Sequence, residues 1–302
     1  MQMSAPMSPP SLDVGIVGCG KVGAVLGAAL QLAGHHVVAT SAISDASRER
    51  AALLLPGVPV TSVEEVVASA GVVLLTVPDD AIADLVTGLA SQHAWDGGRL
   101  AVHTSGFHGI EVLDPVIEAG GEAAALHPAM TFTGVAKDLS RITGTPFAVT
   151  ASPGAGLVAE ALVVDLGGDP FPLADEDRAE YHFALAHSAN HLVTLVAQSQ
   201  QLLRGIGIDD PSRLLRPLLE AALDNALERG DKALTGPVAR GDIRTVRAHL
   251  ATARQQDDDI DTAYRALAWA TAKRAAARRT LPAEVSGPML DLFGSNEKDT
   301  NG

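Results

Sequence analysis

Residues Val14-Gly15-Ile16-Val17 form a short apolar run that leads straight into Gly18-Cys19-Gly20-Lys21-Val22-Gly23, glycines spaced G-x-G-x-x-G, and a helical stretch over 24–33 follows. Each glycine has its own task. Gly18 allows the tight turn off a strand, Gly20 lets the backbone approach a pyrophosphate, and Gly23 lets helix and strand pack closely. The pyrophosphate would lie on the helix amino terminus, where free backbone N–H groups and the positive end of the dipole face it. A second apolar run at 36–40 arrives one helix later, the spacing of a βαβ unit. This context predicts a dinucleotide site made by Gly18, Gly20, Lys21, Val22 and Gly23.

The chain has 302 residues, 47% of them hydrophobic, enough for two domains with real cores. With 22 basic and 36 acidic residues its formal charge is −14, which argues against nucleic acid or an anionic membrane surface as partner. Its one cysteine, Cys19, excludes a disulfide framework within the chain and a cysteine metal site, and no metal ligand set stands out. The first residues lack the basic start of a signal peptide, and no apolar run approaches the ~20 residues needed to span a bilayer. A cytoplasmic protein is expected, with a disordered tail at 1–11, a nucleotide-binding domain at 12–174, a helical substrate and dimerisation domain at 175–282, and a second tail at 283–302.

The end of the second strand bears on the cofactor. An acid about 20 residues past the glycines would take the ribose hydroxyls of NAD, but Thr40 and Ser41 stand there. Ser41 and Ser44, with Arg48 or Arg50 one helical turn on, suit a 2′-phosphate, so NADP is favoured over NAD. Against this, Arg48 and Arg50 could simply decorate a solvated helix face, and Asp45, read as a helix N-cap, keeps NAD in play.

Further on, a short strand near 58–60 precedes a helix opened by Thr61 and Ser62. The continuous run 72–76 reads as a parallel strand covered on both faces, and it ends in Val77-Pro78-Asp79, also placed on the cofactor. Strands ending at His103-Thr104-Ser105 and Leu126-His127-Pro128 follow, then strands at 147–150 and 169–173 around a helix at 154–166. Repeated βα units predict an α/β fold with a doubly wound parallel sheet, whose ligands lie beyond the carboxyl ends of the strands. From residue 175 the pattern is all helical, beginning with one helix over 176–203. A helix that long predicts a partner, and a homodimer through this half is expected.

A nucleotide-binding half followed by a helical half resembles the superfamily of 6-phosphogluconate dehydrogenase, ketopantoate reductase and pyrroline-5-carboxylate reductase. Thr76-Val77-Pro78-Asp79, His103-Thr104-Ser105-Gly106, Leu126-His127-Pro128 with Thr131-Phe132, Asn190, and the run from Leu234 to Asp242 are similar to bacterial Rossmann-like proteins whose helical half is a domain of unknown function. The resemblance implies a Rossmann sheet, a C-terminal domain like that of 6-phosphogluconate dehydrogenase, and an oxidoreductase.

It also frames the chemistry. In β-hydroxyacid dehydrogenases and common ketopantoate reductases the acid is a lysine four residues before an asparagine. Asn190 fits the asparagine, but Ala186 stands in the lysine's place. Histidines are the substitutes. His127 or His103 is expected to donate the proton, with Asn190 and Ser105 bonding a small-molecule substrate, His187 facing the same cleft, and Arg240 reaching a carboxylate. His103 reads equally as a brace for neighbouring loops, His127 as a stiffener before Pro128, and Arg240 as a support for its Gly-Pro loop. A ketopantoate-like substrate comes first. The alternatives are a cyclic imine, which arrives already protonated and needs no strong protein acid, and a sensor that binds NADP without turnover.

Overall fold

The protein is described by a computed structural model over residues 11–294. Seven strands, β1 (Asp13–Val17), β2 (His36–Ser41), β3 (Val72–Leu75), β4 (Leu100–His103), β5 (Glu122–Pro128), β6 (Pro146–Ala151) and β7 (Asp169–Pro172), form one sheet in the order β2-β1-β3-β4-β5-β6-β7. The strands from β2 to β5 are parallel, β6 runs antiparallel to β5, and β7 is parallel to β6. The chain therefore has the α/β architecture expected, with one reversal at β6. Strand order changes direction at β1, which has β2 on one side and β3 on the other, so a crevice opens where these strands end.

Helices α1 (Lys21–Leu32), α2 (Asp45–Leu54), α3 (Val63–Ser69), α4 (Asp79–Ser91), α5 (Asp114–Glu118), α6 (Lys137–Ile142) and α7 (Gly156–Asp165) accompany the sheet. One buried cluster joins Ile16, Val72 and Leu74 to α1 and α7; the other joins Val17, Val73 and Leu75 to α3, α4 and Trp95. The alternation along β3 explains why its sequence is apolar throughout: both of its faces are covered. Ser62 caps α3 in a reciprocal capping box with Glu65, as the Ser/Glu spacing suggests. Two local expectations need correction. The N-cap of α2 is Ser44, with Asp45 already in its first turn, and the segment near 58–60 makes only a single parallel bridge from Val60 to Thr40.

Helices α8 (Arg178–Gly205), α9 (Pro211–Arg229), α10 (Gly236–Arg240), α11 (Ile243–Ala253), α12 (Asp258–Ala277) and α13 (Ala283–Asp291) follow. The chain divides into two compact units at Asn190/His191, inside α8. In the second unit Val238, Val246, Leu250, Ala268, Ala272, Met289 and Phe293 form the core. Here the tail expected at 283–302 is corrected: α13 occupies 283–291, because Met289 and Phe293 lie one turn apart and both bury their side chains in that core. Residues 295–302, and 1–10 of the expected amino-terminal tail, lie outside the described residues. Among the described residues no helix is long and apolar enough to cross a membrane.

The glycine turn is held from two sides. Gly18 has φ +95°, a conformation that favours glycine. The Gly18 N–H donates to Ser41 Oγ at 3.0 Å, and Thr76 Oγ1 donates to the Gly18 carbonyl at 2.6 Å. A Cβ on Gly23 would collide with that same carbonyl and with Thr76 Oγ1, whereas one on Gly20 would meet nothing within 4 Å. Gly23→Ala is therefore expected to cost about 1–3 kcal/mol through overpacking. Gly20→Ala, at an ordinary φ of −75°, should leave stability nearly unchanged; urea denaturation of the two variants checks the contrast.

Candidate functional site

The cofactor end of the site begins at α1. Its N-cap, Gly20, offers no side chain, and its first turn holds no acid, so the leading N–H groups stay available to an anion. The open space beside Gly20 completes a cradle that fits a dinucleotide pyrophosphate. Lys21 and Val22 start the helix, and Val77, Pro78 and Asp79 lie at the end of β3, with Pro78 the N-cap of α4. Ser41 is buried and its oxygen accepts the Gly18 N–H, so its first task is to brace the turn. Ser44 caps α2 by accepting from Ser47, and Arg48 is drawn into an exposed pair with Asp45 at 3.1 Å. Cys19 is fully buried; burial raises its thiol pKa, leaving it protonated and unreactive.

The second part of the site lies where β5 ends and α8 begins. A cavity of about 220 Å³ is lined by His127, Met130, Thr131, His182, Ser188 and Asn190, among others. His127 Nδ1 lies 2.9 Å from Tyr181 Oη, and the His127 ring meets the Tyr181 and His182 rings edge to face. Burial, reinforced by His182 and the Arg178 cation, pushes the His127 imidazole down to about 4. It is a neutral ring at pH 7. Tyr181 is moved the other way: burial raises its hydroxyl pKa against the pull of Arg178, so it keeps its proton. Asn190 is exposed at the cavity rim rather than buried.

Beneath this cavity the polar groups are already spent on one another. His103, fully buried, has Nε2 2.8 Å from the Gly109 carbonyl, and its Nδ1 accepts the Ser105 N–H at 3.2 Å. That pattern fixes a neutral Nε2–H tautomer, and burial lowers its pKa to about 4. With both nitrogens engaged, His103 has none left for a substrate: the expectation that it donates a proton is corrected, and its role is the loop brace. The Ser105 hydroxyl donates to Asp79 Oδ2 at 2.8 Å and accepts the N–H groups of Phe107 and His108. It too holds the loop rather than a substrate, and Asp79 is its partner.

Below them sits Arg178, with no exposed surface. Its guanidinium donates to the carbonyls of Ser105 (3.0 Å) and Ala125 (2.8 Å) and to Thr150 Oγ1 (2.8 Å), with the Ala148 carbonyl at 3.4 Å. The loop after β4, strands β5 and β6, and the start of α8 are thus tied to one side chain. Burial lowers its pKa, opposed by Asp175 and Tyr181, and a guanidinium remains charged regardless. His187 stacks on Phe183 at 5.7 Å and does not line the cavity. Arg240 is exposed at the end of α10, in the second unit, and Asp242 caps α11 through Thr245, as its position suggests. Of the residues singled out in the sequence, the cavity gathers His127, Thr131 and Asn190. Sequence reasoning missed Tyr181 and Arg178; three acids ahead of them made the segment look like an ordinary solvated helix start.

Residues 1–128 match the Rossmann-like domain, which defines the class of the first half. Residues 145–271 match a domain of unknown function, DUF2520. The chain joins the one to the other. Solved structures share this arrangement at low sequence identity. A proposed NADP oxidoreductase from Bacteroides fragilis is 20% identical, with a TM-score of 0.72, over 86% of this chain and 98% of that one. An imine reductase from Myxococcus stipitatus, solved with NAD+, is 15% identical, with a TM-score of 0.59, over 94% and 99%. A pyrroline carboxylate reductase from Plasmodium falciparum with NADP bound is 10% identical, with a TM-score of 0.57, over 92% and 98%. At such identities the likeness shows a shared fold. No curated protein sequence matches the chain significantly.

Two outcomes follow from the buried charges. Because the pKa of His103 is about 4 in the fold against 6.5 unperturbed, the unfolded chain binds more protons between these values, and stability is lost as pH falls through that window. The loss should already show between pH 6.5 and 5 in thermal melts, and His103→Gln should reduce it without removing it, because His127 has the same lowered pKa and keeps its own share. Arg178→Met, which strands three or four buried acceptors, is expected to cost roughly 3–5 kcal/mol in urea denaturation.

Proposed function

We propose that this chain is an NADP-dependent reductase of a small carboxylated substrate, with a cyclic imine ahead of a ketone such as ketopantoate. The observation that carries the order is the neutral His127 in the wall of the cavity. A ketone needs a proton on its oxygen as hydride arrives, and a neutral imidazole is a weak acid. A protonated imine brings its own proton and asks only for a lone pair that holds its N–H. With Nδ1–H directed to Tyr181 Oη, His127 presents that lone pair at Nε2. The imine reductase and pyrroline carboxylate reductase among the structural relatives support this reading.

A reduced nicotinamide, when bound, would supply the hydride. The chain's own contribution is orientation. Asn190 and Thr131 offer polar contacts at the cavity, while Arg178, His103 and Ser105 hold the strand ends that shape it. The Tyr181 contact also favours a second reading. In the other tautomer the Tyr181 hydroxyl donates to Nδ1 and Nε2–H faces the substrate. A ketone oxygen could then take the Nε2 proton while Nδ1 takes the Tyr181 proton, leaving a phenolate near the Arg178 charge.

For the cofactor, the supports are the absence of an acid at Thr40 and Ser41 and the NADP bound to the Plasmodium falciparum relative. We also propose a homodimer formed by the second unit and the long helix that enters it. Val193 on α8 is 70% exposed, and on α9 Leu218 is 64% and Leu227 78% exposed, an apolar surface of the kind that a second copy covers. Mass photometry should find a species of twice the 31.0 kDa chain.

NADPH oxidation measured with 1-pyrroline-5-carboxylate, other cyclic imines and ketopantoate separates the readings. Imine turnover is expected. Turnover of ketopantoate alone supports the relay, and tight NADPH binding without turnover across the panel supports a sensor. With the active substrate, His127→Ala and Asn190→Ala should each lower kcat about 10²-fold or more while NADPH binding persists.

A further inference from the structure

Lys21 and Arg50 come from different helices and meet at one glycine. A Cβ built on Gly134 would lie 2.9 Å from Lys21 Cγ and 3.1 Å from both Cδ and Nε of Arg50, so the two stems flank the same buried backbone position. Among the described residues neither side chain has an ion-pair or hydrogen-bond partner. Arg48, by contrast, is tied to Asp45. Two uncompensated cations whose stems share one backbone position favour an anion between them. They stand beside the amino terminus of α1, whose N–H groups already favour an anion. A bound anion would relieve all of this at once.

What holds Gly134 there is a carboxylate from the first turn of α6. Asp138 has no exposed surface. Its oxygens accept the N–H groups of Thr133 (2.7 Å) and Gly134 (2.8 Å), the Thr133 hydroxyl (2.9 Å) and Arg141 Nη1 (3.2 Å). Burial alone would raise its pKa, but these donors outweigh it and keep the group ionised. Gly134 has φ +81°, so the turn accommodates no ordinary side chain without strain. The four donors to Asp138 are more than a surface turn needs, and the turn they rigidify bears directly on both cations.

We propose that Lys21 and Arg50 form a phosphate cradle that reads the 2′-phosphate of NADP, and that Asp138 is its positioning residue, acting through the Thr133–Gly134 turn. The inference rests on the NADP reading above and replaces Arg48 with Arg50 as the discriminating charge. Arg50 belongs to α2, the helix that follows β2, and it is the end of this strand that reaches the adenosine ribose in sheets of this order. Lys21 is the first residue of α1, the helix whose amino terminus would face the pyrophosphate.

Calorimetric titration of the full chain with 2′,5′-ADP and with 5′-ADP tests it. The wild type should prefer 2′,5′-ADP by about tenfold or more. Arg50→Ala should reduce that preference to about threefold or less while 5′-ADP affinity is kept, and Arg48→Ala should leave it intact. Asp138→Asn should weaken the preference as well, with far-UV circular dichroism unchanged; should that variant fail to fold, Thr133→Val, which removes one donor to Asp138, carries the same expectation. An undiminished preference in Arg50→Ala overturns the cradle. A preference lost in Arg50→Ala but kept in the folded Asp138 or Thr133 variant overturns the positioning role. A wild type that binds both nucleotides equally overturns the NADP reading itself, and the cradle with it.

Discussion

The buried guanidinium of Arg178 is the interaction on which the site depends. It belongs to the first turn of α8, yet every group it binds lies elsewhere: on the loop after β4, on β5 and on β6. A buried charge of this kind is costly unless its donors are satisfied. Here the satisfaction comes from backbone carbonyls and the Thr150 hydroxyl, so the cost of desolvation becomes a positional lock on three strand ends. The same charge keeps protons off the histidines above it. His103 and His127 stay neutral because they are buried and because a fixed cation sits near them, which turns two candidate acids into a brace and a lone-pair or weak-donor group.

The nucleotide end shows the same economy with glycine and hydroxyl groups. Thr76, the residue after β3, and Ser41, at the end of β2, both converge on Gly18. The turn is thereby built by three neighbouring strands before any ligand is bound, and the crevice at the change of strand direction is preorganised for a phosphate. The reversed strand β6 does not disturb it, since β6 lies four places along the sheet from β1.

Much of this was legible in the sequence because it rests on local chemistry. Gly18, Gly20 and Gly23 announce the turn; the apolar run at 72–75 announces a doubly covered strand; Ser62 with Glu65 announces a capped helix. Long-range pairing was not legible. Nothing local marks Arg178 as buried, since its partners, three carbonyls and the Thr150 hydroxyl, lie up to 73 positions away. His103 reads as a proton donor and Ser105 as a substrate contact for the same reason that they are structural: polar side chains at a strand's carboxyl end serve a ligand or the loop equally well, and only the partners decide. Helix α13 was hidden because Met289 and Phe293 are spaced among small and polar residues and find their core only in the folded second unit.

Cys19 gives the glycine turn a reporter of its own. It is the only thiol among 302 residues, it is fully buried, and its proton is held more firmly than in solution. A thiol reagent can therefore modify the folded chain only when the turn between β1 and α1 opens. The rate of that single modification measures the breathing of the nucleotide loop, without a label, a fluorophore or any knowledge of the substrate.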